Sequence, residues 1–187
     1  MEEFELRFKK PEGIEDRIQE LGFSKKESFQ MHDLIFEPKT WEPGSDLKSG
    51  YFVIRIRLVE NKRPAVELKA FMEENRWDEV SLDIDDPQSA LDLFSSIMVR
   101  RRVISKQREV WIKDNVEIVL DDVTHLGPYI EIEGEESEVR KIAEQLNLKD
   151  SQMGYGRLLF YLEKEGKISF DSNEMNKIVD TFKYLKK

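Results

Sequence analysis

The chain has 187 residues, and 30 Lys and Arg stand against 39 Asp and Glu, a formal net charge of −9. That length suits one domain with a sizeable core, and 39% hydrophobic residues argue against the disorder that 37% charged residues would otherwise suggest. The acidic balance argues against a general nucleic-acid coat, and the lack of cysteine removes disulfides, thiolate nucleophiles and cysteine-ligated zinc.

The N-terminus is acidic, unlike a signal peptide. No apolar run approaches the ~18 residues of a membrane span. A soluble cytoplasmic protein with no membrane partner is expected.

Residues 3–9 alternate strictly: Phe4, Leu6 and Phe8 share one face, and Glu3, Glu5, Arg7 and Lys9 share the other. Residues 11–21 fit a helix with Ile14, Ile18 and Leu21 on one stripe and Pro11 in the first turn. Residues 41–50 read as a loop.

Alternation returns downstream. Arg55 and Arg57 oppose Phe52, Ile54, Ile56 and Leu58, and Glu67 and Lys69 oppose Val66, Leu68 and Ala70. Glu79 and Asp83 oppose Val80, Leu82 and Ile84. A helix over 87–98 follows the capping signature Asp85-Asp86. Arg100, Arg101 and Arg102 then read as a solvated edge after that helix. Lys106 and Arg108 share a face in 104–111. Glu117 and Asp121 oppose Val116, Ile118 and Leu120, and Glu131 and Glu133 oppose Ile130 and Ile132. Apolar spacing predicts further helices over 137–146, 155–165 and 173–185.

At least seven strands with a dry face and a fully charged face fit antiparallel pairing. The charges also sort by sign, with Lys/Arg pairs at 55/57 and 106/108 and acid pairs at 3/5 and 131/133. Like charges two apart on one face repel unless opposite charge lies between them. A polyanion with divalent cations would meet both needs in a sheet curled around one lumen. His32 and His125 lack a second histidine at ligand spacing and read as structural. Trp41 and Trp77 read as core or rim packing, with covering of a base as the other reading.

The ordered set resembles the CYTH superfamily, the triphosphate tunnel metalloenzymes. That superfamily includes class IV adenylate cyclases, thiamine triphosphatases and inorganic triphosphatases. Its first-strand signature, Glu-x-Glu-x-Lys, reads here as Glu3-Phe4-Glu5-Leu6-Arg7. Arginine brings a planar fork where lysine brings a point charge, and Lys9 is a second candidate for that role. Residues 33–36, Arg55-Ile56-Arg57, Glu67-Leu68-Lys69, Glu79, Lys106-Gln107-Arg108 and residues 120–133 match later family strands in order. Residues 155–159 are similar to the closing Ser-Tyr-x-x-Leu helix, with Gly154 in the serine position.

The resemblance implies an α+β fold: an antiparallel eight-stranded β-barrel, the triphosphate tunnel, with surrounding helices. One CYTH-like domain would span 1–187, with 165–187 as a C-terminal helical extension. It implies a substrate-binding set of Arg7, Lys9, Arg55, Arg57, Lys69, Lys106 and Arg108. The implied metal set is Glu3, Glu5, Asp121, Glu131 and Glu133, for Mg2+ or Mn2+. Glu5, Arg7 and Glu131 would be catalytic. The implied partner is a small-molecule triphosphate (ATP, thiamine triphosphate or tripolyphosphate) rather than nucleic acid, and the chain would be a monomer or homodimer. Class IV adenylate cyclase chemistry is the leading expectation. Terminal-phosphate hydrolysis and non-catalytic binding of nucleotide or polyphosphate are the alternatives.

Overall fold

A computed structural model describes residues 2–40, 50–171 and 173–184, and for Glu2, Glu3, Arg100 and Arg101 the backbone alone. Eight strands form the wall: β1 (Glu2–Lys9), β2 (Ser24–Glu37), β3 (Phe52–Val59), β4 (Ala65–Glu73), β5 (Arg76–Asp83), β6 (Val99–Lys113), β7 (Val116–Val123) and β8 (Gly127–Gly134). They pair antiparallel in the order β1-β5-β4-β3-β2-β6-β7-β8 and close into a barrel. Closure runs through β1, whose residues 2–4 face Asp78, Trp77 and Arg76 of β5 and whose residues 4–9 face β8.

The alternation dictates this form. Most strands have one face that must leave water and one that carries charge. Curling turns the charged faces inward and leaves the apolar faces for helices to cover. On one flank α1 (Ile14–Glu20) and α3 (Glu136–Gln145) pack Ile14, Ile18, Val139 and Ile142 against Phe4, Leu6, Ile118, Ile130 and Ile132. On another, α2 (Pro87–Ile97) and α5 (Glu174–Thr181) pack Leu91, Met175 and Val179 against Leu34, Phe36, Ile56 and Leu58. The Asp86 side chain caps α2 by accepting from the Ser89 amide at 3.0 Å, as its position before Pro87 predicts.

A third cluster joins inward-facing Ile35, Ile104 and Tyr129 to Tyr155 and Leu159 of α4 (Tyr155–Lys164). That helix therefore lies across the lumen. Gly134, at φ 152, is one glycine the path requires, because a Cβ there would meet the Asn115 carbonyl oxygen at 3.2 Å.

Two strands outrun the sequence reading. β2 begins ahead of residues 33–36, and β6 begins at Val99, so residues 100–102 are sheet rather than a solvated edge. The physical reason is the β2 ladder, which sets Val99 opposite Glu37 and Arg102 opposite Ile35 and carries Arg102 inward. Arg102 is 6% exposed. The expected loop at 41–50, including Trp41, lies almost wholly outside the described residues, as does Leu185. No helix among the described residues is long and apolar enough to cross a membrane.

Candidate active site

The inward positions of neighbouring strands fall into charge-matched register. Arg7 faces Glu131, Arg57 faces Asp33, Arg55 faces Glu67, Lys69 faces Glu79 and Arg108 faces Asp121. The sign-sorted pairs within single strands are thus compensated by the strands beside them.

In the half built from β2–β5, Arg57 forks onto Asp33 at 2.8 and 3.2 Å and reaches Glu67 at 3.1 Å. Arg55 bonds Glu67 at 2.5 Å and Glu79 at 2.8 Å. Lys69 Nζ donates to Glu5 at 2.9 Å and lies 3.6 Å from Glu79, which ties this half to β1. Burial opposes the Asp33 charge, but Arg57, Arg55 and Lys106 outweigh it and hold the carboxyl well below the aspartate range.

In the half built from β1 and β6–β8, Arg7 donates to Glu131 and, at 3.3 Å, to Glu5. Its guanidinium also stacks 4.3 Å above the Tyr155 ring. Arg108 forks onto Asp121 at 2.7 and 2.6 Å and reaches Glu131 at 2.8 Å. Glu131 stays well below the glutamate range: burial raises it, but Arg7, Arg108 and Lys106 lower it further. Glu133 behaves oppositely. Burial, then Glu131 and Glu5, push its carboxyl up to about 7, against the pull of Arg108 and Lys69. Its register partners are Glu5 on one side and Glu117 on the other, so three carboxylates form one rung.

These side chains line a cavity of about 860 Å³, which includes Glu5, Arg7, Arg55, Arg57, Lys69, Lys106, Arg108, Glu131 and Glu133. The sequence-derived set is thereby brought together with three qualifications of place. Asp121 sits behind the lining, 1% exposed, held by Arg108, by Lys106 at 3.1 Å and by the Tyr155 hydroxyl, which donates at 3.1 Å. Lys9 turns toward the rim, over the Tyr129 ring at 3.9 Å and donating to the Leu126 carbonyl at 3.2 Å. Glu3 is placed by its backbone, opposite Trp77. A separate hollow of about 650 Å³ lies outside the barrel beside α3 and is lined by Phe4, Leu6 and Phe8 among others.

Sequence reasoning did not assign Asp33, Glu67, Glu79, Glu117 or Tyr155 to the site. Glu67, Glu79 and Glu117 carried a usable signal, being on the charged faces of alternating strands. Asp33 carried little, because Leu34, Ile35 and Phe36 after it break the alternation.

A closed antiparallel barrel with a charged lumen defines the fold class, and a family model over most of the chain assigns the family. The model of the CYTH domain matches residues 1–158, and the chain belongs to that family. No curated protein sequence matches the chain. Among solved structures, it is similar to the PH1012 protein of Pyrococcus horikoshii OT3, with 22% identity and a TM-score of 0.72 over 83% of this chain and 98% of that one. It is similar also to a candidate adenylate cyclase of Vibrio parahaemolyticus, with 16% identity and a TM-score of 0.66 over 84% of this chain and 97% of that one. A third is a Hippeastrum protein, described as an adenylyl cyclase candidate with a dominant triphosphatase activity. It shares 18% identity and a TM-score of 0.52 over 98% of this chain and 97% of that one. At these identities the likeness shows a shared fold.

Proposed function

We propose that this chain is a metal-dependent enzyme acting on a triphosphate held in the barrel, and that it converts ATP to cyclic AMP and pyrophosphate as a class IV adenylate cyclase does. The observation that carries the reading is the set Arg7, Arg55, Arg57, Lys69, Lys106 and Arg108 on one lumen surface, each held by a carboxylate. Buried ion pairs of this kind contribute little net stability compared with apolar packing. Their use is exchange: phosphate oxygens replace carboxylates on cations that are already aimed.

The chain's donors fit a divalent cation. Among the described residues, no three carboxylates or histidines form a ready-made cage. Mg2+ needs no such cage, since one or two carboxylates with waters and substrate phosphates suffice. Glu5, Glu131 and Glu133 are hard oxygen donors, and Glu133, raised first by burial and then by Glu131 and Glu5, is a group whose ionised form a cation would favour. Glu3 and Asp121 complete the proposed set, Asp121 by giving up contacts with Arg108. A bound Mg2+ or Mn2+ supplies Lewis-acid stabilisation of phosphoryl oxygens.

In this reading Arg55, Arg57 and Lys69 grip the phosphate chain from one wall, and Lys106 and Arg108 grip it from the other. Arg7, between Glu5 and Glu131, balances charge that develops at the reacting phosphorus. Glu5 and Glu131 remain ionised and hold position rather than take up protons. Lys9, at the rim, is the outermost cation of the proposed set.

Hydrolysis of the terminal phosphate is the second reading, favoured by the dominant triphosphatase activity described for the Hippeastrum protein. The test is product analysis with ATP, thiamine triphosphate and tripolyphosphate, each with Mg2+ and with Mn2+. Cyclic AMP with pyrophosphate supports the cyclase. Orthophosphate together with ADP from ATP, thiamine diphosphate from thiamine triphosphate, or diphosphate from tripolyphosphate, with no cyclic AMP, replaces it with the hydrolase. No product from any of the three leaves a binding protein.

A further inference from the structure

The lumen is not charged along its whole length. Followed along each strand, the inward positions change character at one level. On β3 they run Arg57, Arg55, Val53, with Tyr51 just beyond the strand; on β4, Glu67, Lys69, Phe71; on β5, Glu79, Trp77. Phe71 and Trp77 are register partners, with ring centroids 5.5 Å apart, and Tyr51 meets Trp77 edge-on at 6.5 Å. The three rings line the same cavity as the cations and are half-buried.

Packing of α4 accounts for Ile35 and Ile104, which join Tyr155 and Leu159 in one core cluster. Among the described residues, the core clusters do not include Tyr51, Phe71 or Trp77, which sit just before β3, on β4 and on β5. Phe160 and Met153 also line the cavity. Tyr51 donates to the Glu37 carboxylate at 3.4 Å, which fixes its ring. The aromatic wall is one pleat beyond the phosphate-gripping lysine, about 6.6 Å along the strand, and Lys69 Nζ approaches the Trp77 ring at 5.5 Å.

An inorganic triphosphate gains nothing from such a wall, since its whole surface is anionic. An aromatic ring esterified to the triphosphate gains area and stacking. We infer that Trp77, Phe71 and Tyr51 are the specificity-determining residues, and that they seat the aromatic heterocycle of a nucleoside-like triphosphate while the cations hold its phosphates. The inference rests on the triphosphate reading above and selects an organic triphosphate as the substrate class.

The test measures binding by calorimetry, without turnover, for ATP, methyl triphosphate and inorganic tripolyphosphate against wild type, Trp77→Ala, Trp77→Phe and Phe71→Ala. Wild type should prefer ATP to both ring-free ligands. Trp77→Ala should weaken ATP about tenfold, the size of one lost base–aromatic stack, and leave tripolyphosphate within about twofold. Trp77→Phe should keep most of the ATP preference, which also guards against an alanine variant that fails to fold. Equal binding of all three ligands by wild type, or equal loss for ATP and tripolyphosphate in the variants, overturns the inference while the triphosphate reading stands. Binding of none of them by wild type overturns both.

Discussion

The two halves of the lumen spend their charges differently. In the half from β2–β5, Arg55 and Arg57 are each pinned between two or more carboxylates, at 2.5 to 3.3 Å for the closer contacts. In the half from β1 and β6–β8, three acids share one rung, and burial, then Glu131 and Glu5, raise Glu133 to about 7. The first half is a set of cations already matched by carboxylates, which the proposed triphosphate would displace. The second has carboxylate left over, which the proposed metal would neutralise. One barrel thus carries paired cations in one half and surplus carboxylate in the other, the division that the proposed metal–triphosphate site would use.

The largest break in this comparison should come from Arg55→Ala. It strips partners from Asp33, Glu67 and Glu79 together, and buried acids that lose a partner cost about 3 kcal/mol or more. Urea unfolding at neutral pH measures the loss, and added tripolyphosphate should recover little of it. A variant as stable as wild type would show that the β2–β5 pairs are not mutually dependent.

Glu131→Gln should act on the other side. Arg7 retains Glu5 and Arg108 retains Asp121, so the fold should survive. Turnover should fall about 10²- to 10³-fold, the usual loss when one charge-stabilising group is removed. Tripolyphosphate binding in EDTA should be kept or strengthened, because the lumen has lost a negative charge. If metal-free binding collapses along with turnover, the division between a cation seat and an anion clamp is wrong.

The smallest effect concerns acid. Asp33 has a folded-state pKa below its unfolded value of about 3.9. Its stabilisation is therefore complete above that range and is lost as pH falls through the folded value. The stability gap between wild type and Asp33→Asn should be widest from about pH 5 to 7 and should begin to narrow below about pH 4. Chemical denaturation at pH 7, 4 and 3 reads the gap directly, and a constant gap would mean that Asp33 acts by shape rather than charge.

Much of this barrel was legible because the side-chain period of a strand is two. Glu5, Arg55, Arg57, Lys69, Glu131 and Glu133 sit on charged faces visible as alternation, Lys106 and Arg108 share one face of a less regular segment, and closure needs only to turn those faces inward. What alternation does not encode is which strand lies beside which. The like-charge pairs at 55/57 and 131/133 pointed to a bound polyanion and metal to relieve them. The fold relieves them by register, setting Arg57 against Asp33 and Glu131 against Arg7. Asp33 was missed because its strand is dry on both sides of Leu34, so its pattern is that of a core strand. Arg102 was misread because the helix before it ends at Ile97, and the ladder that draws it inward belongs to a distant strand.

The β1–β8 seam has a consequence for the order of assembly. It sets Arg7 against Glu131, 124 residues away in sequence, whereas β2 to β5 and β6 to β8 are built mostly from neighbours in the chain. A distant pairing has to meet its loop-closure entropy before its contacts repay it, so such pairings come late. The cations of β3 and β4 can already stand side by side in a partly folded chain. The rung of Glu5, Glu133 and Glu117 cannot exist until β8 has been made and the first strand has found it. Closing the wall and creating the acidic rung are then a single event.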